Sequence, residues 1–86
     1  MAYKVIFTKS AKRQLDKLDR PVQQQIGKLV DRIERLADPR SIGEALHGNL
    51  KGLWKYRAGD WRLQCAIVDK LLVVEVVELA HRSEAY

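Results

Sequence analysis

Apolar residues recur along this chain with two different periods, and the change of period marks its elements. Tyr3-Lys4-Val5-Ile6-Phe7-Thr8 reads as an opening strand. Ala11, Leu15 and Leu18 then share one helical face, with Ser10 offered as N-cap and Thr8 as a second candidate. Asp19-Arg20-Pro21 breaks that helix, and Pro21 suits the first turn of another. Val22, Ile26, Leu29, Val30, Ile33, Leu36 and Ala37 repeat at three- and four-residue spacing until Asp38-Pro39 ends the run. Ser41 to Gly52 reads as a loop with a short helical turn around Glu44-Ala45-Leu46. Period two then takes over in three strands, about Leu53–Arg57, Asp60–Val68 and Leu71–Leu79. A two-residue Asp69-Lys70 turn forces the last two to pair antiparallel. The order β-α-α-β-β-β predicts an α+β fold: an N-terminal helical hairpin packed on one face of a mostly antiparallel four-stranded sheet, in a single domain over residues 1–86.

Side-chain parity in the strands separates two chemistries. Lys55, Arg57 and Arg62 share one parity around a Gly-containing turn, while Trp54, Tyr56, Trp61, Leu63 and Cys65 share the other. An Ala58-Gly59 turn sets Lys55 opposite Arg62, and a Gly59-Asp60 turn sets Arg57 opposite Arg62. Either register puts like charges directly across a strand pair, which destabilises a free sheet. Such a face suits a polyanion. Carried across the Asp69-Lys70 turn, the same reasoning pairs Gln64 with Glu75 and Arg62 with Val77. Lys55, Arg57, Arg62, Gln64, Glu75 and His81 then fall on the open face. Leu63, Cys65, Ile67, Leu72, Val74 and Val76 fall against the helices.

Composition narrows the classes further. The formal charge is +5, which favours anionic partners such as nucleic acid, an acidic protein or a membrane surface. No stretch is apolar enough to span a bilayer, and the opening residues read as a strand instead of an export signal, so a cytoplasmic location is expected. Cys65 is the only cysteine, which rules out an internal disulfide and a cysteine metal cluster.

The tail His81-Arg82-Ser83-Glu84-Ala85-Tyr86 adds an imidazole, a guanidinium and a phenol to the basic face. Together these groups suit metal-free cleavage of an RNA phosphodiester. One group must deprotonate the 2′-hydroxyl, another must stabilise the charged phosphorane, and a third must protonate the leaving 5′-oxygen. Arginine fills the second role, since it is always charged and its fork matches phosphate oxygens. Lys55, His81 and Tyr86 are the candidate proton carriers, and Tyr86 is also a candidate for stacking on a base. Trp54 and Trp61 carry core parity and read as packing. The charged outer face of the second helix, with Lys28, Arg32 and Arg35, reads as solvated surface.

The run Leu46-His47-Gly48-Asn49-Leu50-Lys51-Gly52-Leu53-Trp54-Lys55-Tyr56-Arg57-Ala58-Gly59-Asp60-Trp61-Arg62-Leu63, followed by the His81 to Tyr86 tail, resembles the RelE toxins of toxin–antitoxin pairs. The Arg-x-Gly-Asp-aromatic-Arg element and the His-Arg-x-x-x-Tyr ending carry the resemblance most specifically. It implies a ribosome-dependent mRNA endoribonuclease that cuts A-site codons by 2′-hydroxyl attack, needs no metal or other cofactor, and is silenced by a RelB-like antitoxin in a higher-order complex. By motif it implies that Lys55 and Arg57 are the two strand cations and that Arg62 and Arg82 are the phosphate-binding arginines. Tyr86 matches the C-terminal tyrosine, and His81 a position occupied by histidine or lysine. The alternative within the same fold is a ParE-like DNA gyrase inhibitor without RNase activity. A basic adaptor with no activity is the third reading.

Overall fold

A computed structural model describes residues 2–83. Strand β1 (Lys4–Phe7) leads into helix α1 (Lys9–Asp16) and helix α2 (Arg20–Arg35). Four strands follow: β2 (Glu44–Ala45), β3 (Leu53–Ala58), β4 (Trp61–Val68) and β5 (Val73–His81). They form one sheet in the order β1-β5-β4-β3-β2, with β1 parallel to β5 and the other pairs antiparallel. The α+β architecture is the one expected, with five strands in place of four. The added strand replaces the expected turn around Glu44-Ala45-Leu46. Glu44 pairs with Lys55 and Ala45 with Trp54, and the Leu46 amide donates to the Leu53 carbonyl at 3.0 Å. Gly43 permits this approach, because a Cβ there would lie 3.0 Å from the Tyr56 ring.

Local chemistry explains the boundaries. Thr8, rather than Ser10, caps α1, its hydroxyl accepting from the Ala11 amide at 3.1 Å. Pro21 lies in the first turn of α2, as its missing N–H allows. That helix stops at Arg35, where Leu36 turns extended, slightly before the Asp38-Pro39 break. The Asp38 carboxylate then accepts from the Arg40 amide at 3.0 Å and closes a short turn over Pro39–Ser41.

The core lies between the helices and one sheet face. Ile26 and Ile33 meet Tyr56, Leu63, Cys65, Val74, Val76 and Leu79, all essentially sealed from water. Burial pushes the Cys65 thiol from 9.0 up to about 12, and the Tyr56 phenol from 10.0 to about 12. The Tyr56 hydroxyl donates to the Pro39 carbonyl at 2.6 Å. The native state holds these protons where an unfolded chain releases them. Their contribution is therefore complete below pH 9 and declines as the pH rises toward 12. Urea midpoints should fall between pH 9 and pH 12, and less steeply in Cys65→Ala; parallel declines in the two proteins would contradict a buried protonated thiol.

Three devices fix the sheet ends. Beyond Phe7, where β1 gives way to α1, the Gln14 carboxamide takes over as partner for β5. It accepts from the Leu79 amide at 3.0 Å and donates to the Leu79 carbonyl at 2.9 Å. On the outer rim of β1, the Val5 amide donates to the Glu34 carboxylate of α2 at 2.9 Å. At the β4–β5 turn, Asp69 accepts from Arg40 through both carboxylate oxygens (3.1 and 2.8 Å) and from the Tyr3 hydroxyl. These bonds hold the Asp69 carboxyl below its ordinary range, the Arg40 bond contributing most. Among the described residues, no helix is long and apolar enough to cross a membrane.

Candidate functional site

The β3–β4 hairpin takes the Gly59-Asp60 register. Ala58 pairs with Trp61 and Arg57 with Arg62, while Gly59 adopts a φ of 62° that other residues enter at a cost. Lys55 therefore faces Gln64 instead of Arg62. The like-charged Arg57–Arg62 pair is real, and both arginines share the parity opposite to Tyr56 and Leu63, away from the helices.

The second hairpin departs from expectation. Its turn is not Asp69-Lys70 alone, because Asp69–Leu71 form a short 3-10 turn and Leu72 adopts the left-handed conformation (φ 53°). Leu72 is consequently a turn residue and not part of the packed strand face. The longer turn shifts the β4–β5 register by two residues, and a bulge between Gln64 and Cys65 that skips Val77 adds a third, so Gln64 faces Glu78 and Arg62 faces Ala80, in place of Glu75 and Val77. Glu75 lies opposite Ala66, still on the open-face parity.

The same bulge moves His81. It pairs with Trp61, on the parity of Leu63 and Cys65, and so does not join the open face with Arg62. Its ring meets Trp61 edge-on, with centroids 5.4 Å apart. The Ser83 amide donates to His81 Nδ1 at 3.3 Å, and the Ser83 hydroxyl lies 2.8 Å from the same atom. Nδ1 thus serves as acceptor, and a neutral ring carries its proton on Nε2.

Arg82 does come to the basic turn. Its amide donates to the Asp60 carbonyl at 2.8 Å, fixing the chain, and its guanidinium lies 3.6 Å from the Asp60 carboxylate. Arg57, Arg62 and Arg82 line an open hollow of about 310 Å³ together with Gly59 and Asp60. Lys55 stands two pairs further along β3, on the same face. Its side chain is only 13% exposed, and Nζ lies 3.7 Å from the Glu44 carboxylate across the strand pair. The Arg82–Asp60 contact is longer than the 2.7–2.9 Å of a charge-assisted hydrogen bond, and a phosphate can compete with an ion pair so loosely made. Tyr86 lies outside the described residues. Sequence reasoning missed Glu44, because a two-residue strand leaves no periodic signal. It also read Arg32 as solvated surface, yet Arg32 lines a groove beside Lys55 and Arg57. Its position three residues after the buried Leu29 was the available hint.

An open basic turn on a sheet backed by a helical hairpin has known counterparts. Residues 5–86 match the family described as the ParE toxin of type II toxin–antitoxin systems, parDE. Toxin RelE of Mycobacterium tuberculosis is 33% identical over 84 residues, covering 98% of this chain and 86% of that protein. Toxin RelG of the same organism is 29% identical over 86 residues, covering 100% and 98%. The toxin–antitoxin complex RelBE2 of M. tuberculosis contains a chain that superposes with a TM-score of 0.85 at 28% identity, over 98% of this chain and 95% of that one. The archaeal RelE–RelB complex of Pyrococcus horikoshii gives a TM-score of 0.74 at 26% identity, over 99% and 100%. Fold, hairpin chemistry and similarity agree: the chain belongs to the RelE/ParE superfamily and is a toxin of the type II toxin–antitoxin class.

Proposed function

We propose that this toxin is an mRNA endoribonuclease of the RelE type, acting on codons in the ribosomal A site within the cytoplasm. The observation that carries the reading is the convergence of Arg57, Arg62 and Arg82 on one hollow at the β3–β4 turn. In the reaction, the 2′-oxygen attacks phosphorus, the bond to the 5′-oxygen breaks, and a proton moves from the nucleophile's side to the leaving oxygen. Three positive forks around the phosphate lower the energy of the doubly charged phosphorane more than that of the singly charged diester. Lys55 is the proton carrier nearest to Arg57 along β3. His81, held against Trp61, serves to position the chain entering Arg82. The partner that silences the toxin is a RelB-like antitoxin, as in the complexes of the structural neighbours. An acidic segment that orders on binding would be drawn quickly to a chain of charge +5.

The match to the ParE family supports a second reading, inhibition of DNA gyrase without RNA chemistry. Induced expression followed by primer extension separates the two. The first reading expects mRNA cut within codons on translating ribosomes. Accumulated gyrase–DNA cleavage complexes with intact mRNA would replace it with the second.

A further inference from the structure

Among the described residues, the sheet edge beside the arginine hollow has no partner strand at Arg57. Strand β2 pairs only with Trp54 and Lys55, so Arg57 lies beyond its end. The odd-numbered residues of β3 turn their backbone groups outward, as the Leu46–Leu53 bond shows, and Arg57 directs its N–H and C=O the same way. A groove of about 350 Å³ opens there between β3 and α2. Ile42 and Tyr56 contribute to its floor, and among the described residues Arg32 from α2, Lys55, Arg57 and Glu44 supply its charges. Arg57 is a wall of both the groove and the hollow, so the two cavities are neighbours across one guanidinium.

We infer that this groove is a second anion site, which takes the phosphodiester adjoining the one held in the hollow, with Arg32 as its outer ligand. The inference rests on the RNA-cleaving reading and extends it from one phosphate to two. Lys55 and Arg57 are two residues apart on a strand, about 6.8 Å between Cα atoms, a span on the scale of one nucleotide step. An RNA strand leaving the hollow past Arg57 meets Lys55 next, and then the helix. Arg32 reaches this path only because α2 packs over the end of β3, which brings a cation from a different element to a cleft already positive. The ligand recognised is the backbone of single-stranded RNA, independent of its bases.

The test uses a fluorescent, 2′-O-methylated oligoribonucleotide, which cannot be cut by 2′-hydroxyl attack, and reads anisotropy across a salt series. Arg32→Gln should weaken binding about 3–10-fold at low salt and flatten the log–log salt slope by about 0.7, one phosphate contact on a single strand. Arg32→Lys should stay within about twofold of the parent. Arg32 is exposed, so both variants should melt with the parent protein. An unchanged slope in Arg32→Gln overturns the inference. So does a tenfold loss of antitoxin binding in that variant with oligonucleotide binding untouched, which would make the groove a protein site. Cutting on translating ribosomes is scored separately. A parent protein that cuts mRNA while Arg32→Gln keeps the full slope removes the groove alone. An Arg32-dependent slope without any cutting leaves the groove standing and removes the proposed reaction.

Discussion

If the proposed reaction holds, Arg62→Ala should lower mRNA cutting by about 10²–10³-fold, the cost of removing one preorganised group that would stabilise transition-state charge. Arg62 sits on β4, flanked by β3 and β5, where its backbone is held on both sides. Its side chain is half-buried on the face away from the helices, so it is steadier than the exposed Arg57 and Arg82. A fixed charge needs no reorganisation when the phosphorane forms, which is why the loss should fall on turnover more than on binding. Arg62→Lys should recover little, because a point charge cannot span two phosphate oxygens. Antitoxin should still co-purify with Arg62→Ala, since the substitution leaves the core intact. Wild-type cutting by that variant would refute the hollow as the reactive site.

The adjacent residue should behave in the opposite way. Leu63→Ala is expected to cost about 2–5 kcal/mol, because Leu63 is fully enclosed between the sheet and the helices and its removal leaves a cavity. Domains of this class have about 5–15 kcal/mol of stability in all. A chain of 86 residues buries roughly 60% of its unfolded surface, which sets it toward the lower part of that range. The denaturant midpoint should drop sharply at an unchanged slope. A loss below about 1 kcal/mol would mean that the inner face of β4 is not packed as described. One step along the strand thus exchanges a chemical defect for a structural one, as strand alternation requires.

Much of this was readable from residue order. The run from Val22 to Ile33 identified α2, and the alternation from Trp54 to Cys65 identified β3 and β4 with their opposite faces. The clash of like charges at the turn marks the face on which the hollow lies. What escaped reading has physical causes. Val73, Val74, Val76 and Val77 are alike, so the bulge that skips Val77 leaves no mark in the hydrophobic pattern. His81, which lies beyond it, falls on the face opposite to the one expected for that reason. Strand β2 is too short to show a period and exists through its pairing with β3. That Arg32 lines a groove depends on how α2 lies across the sheet, at which its spacing from Leu29 only hints.

The contact between Glu34 and the Val5 amide has a bearing on self-association. A sheet whose outermost ribbon displays bare amides is a template for another copy of itself, and such stacking leads toward fibres. Here a carboxylate from α2 occupies that amide and leaves negative charge at the rim. Strand-by-strand growth from that side would first have to strip it away.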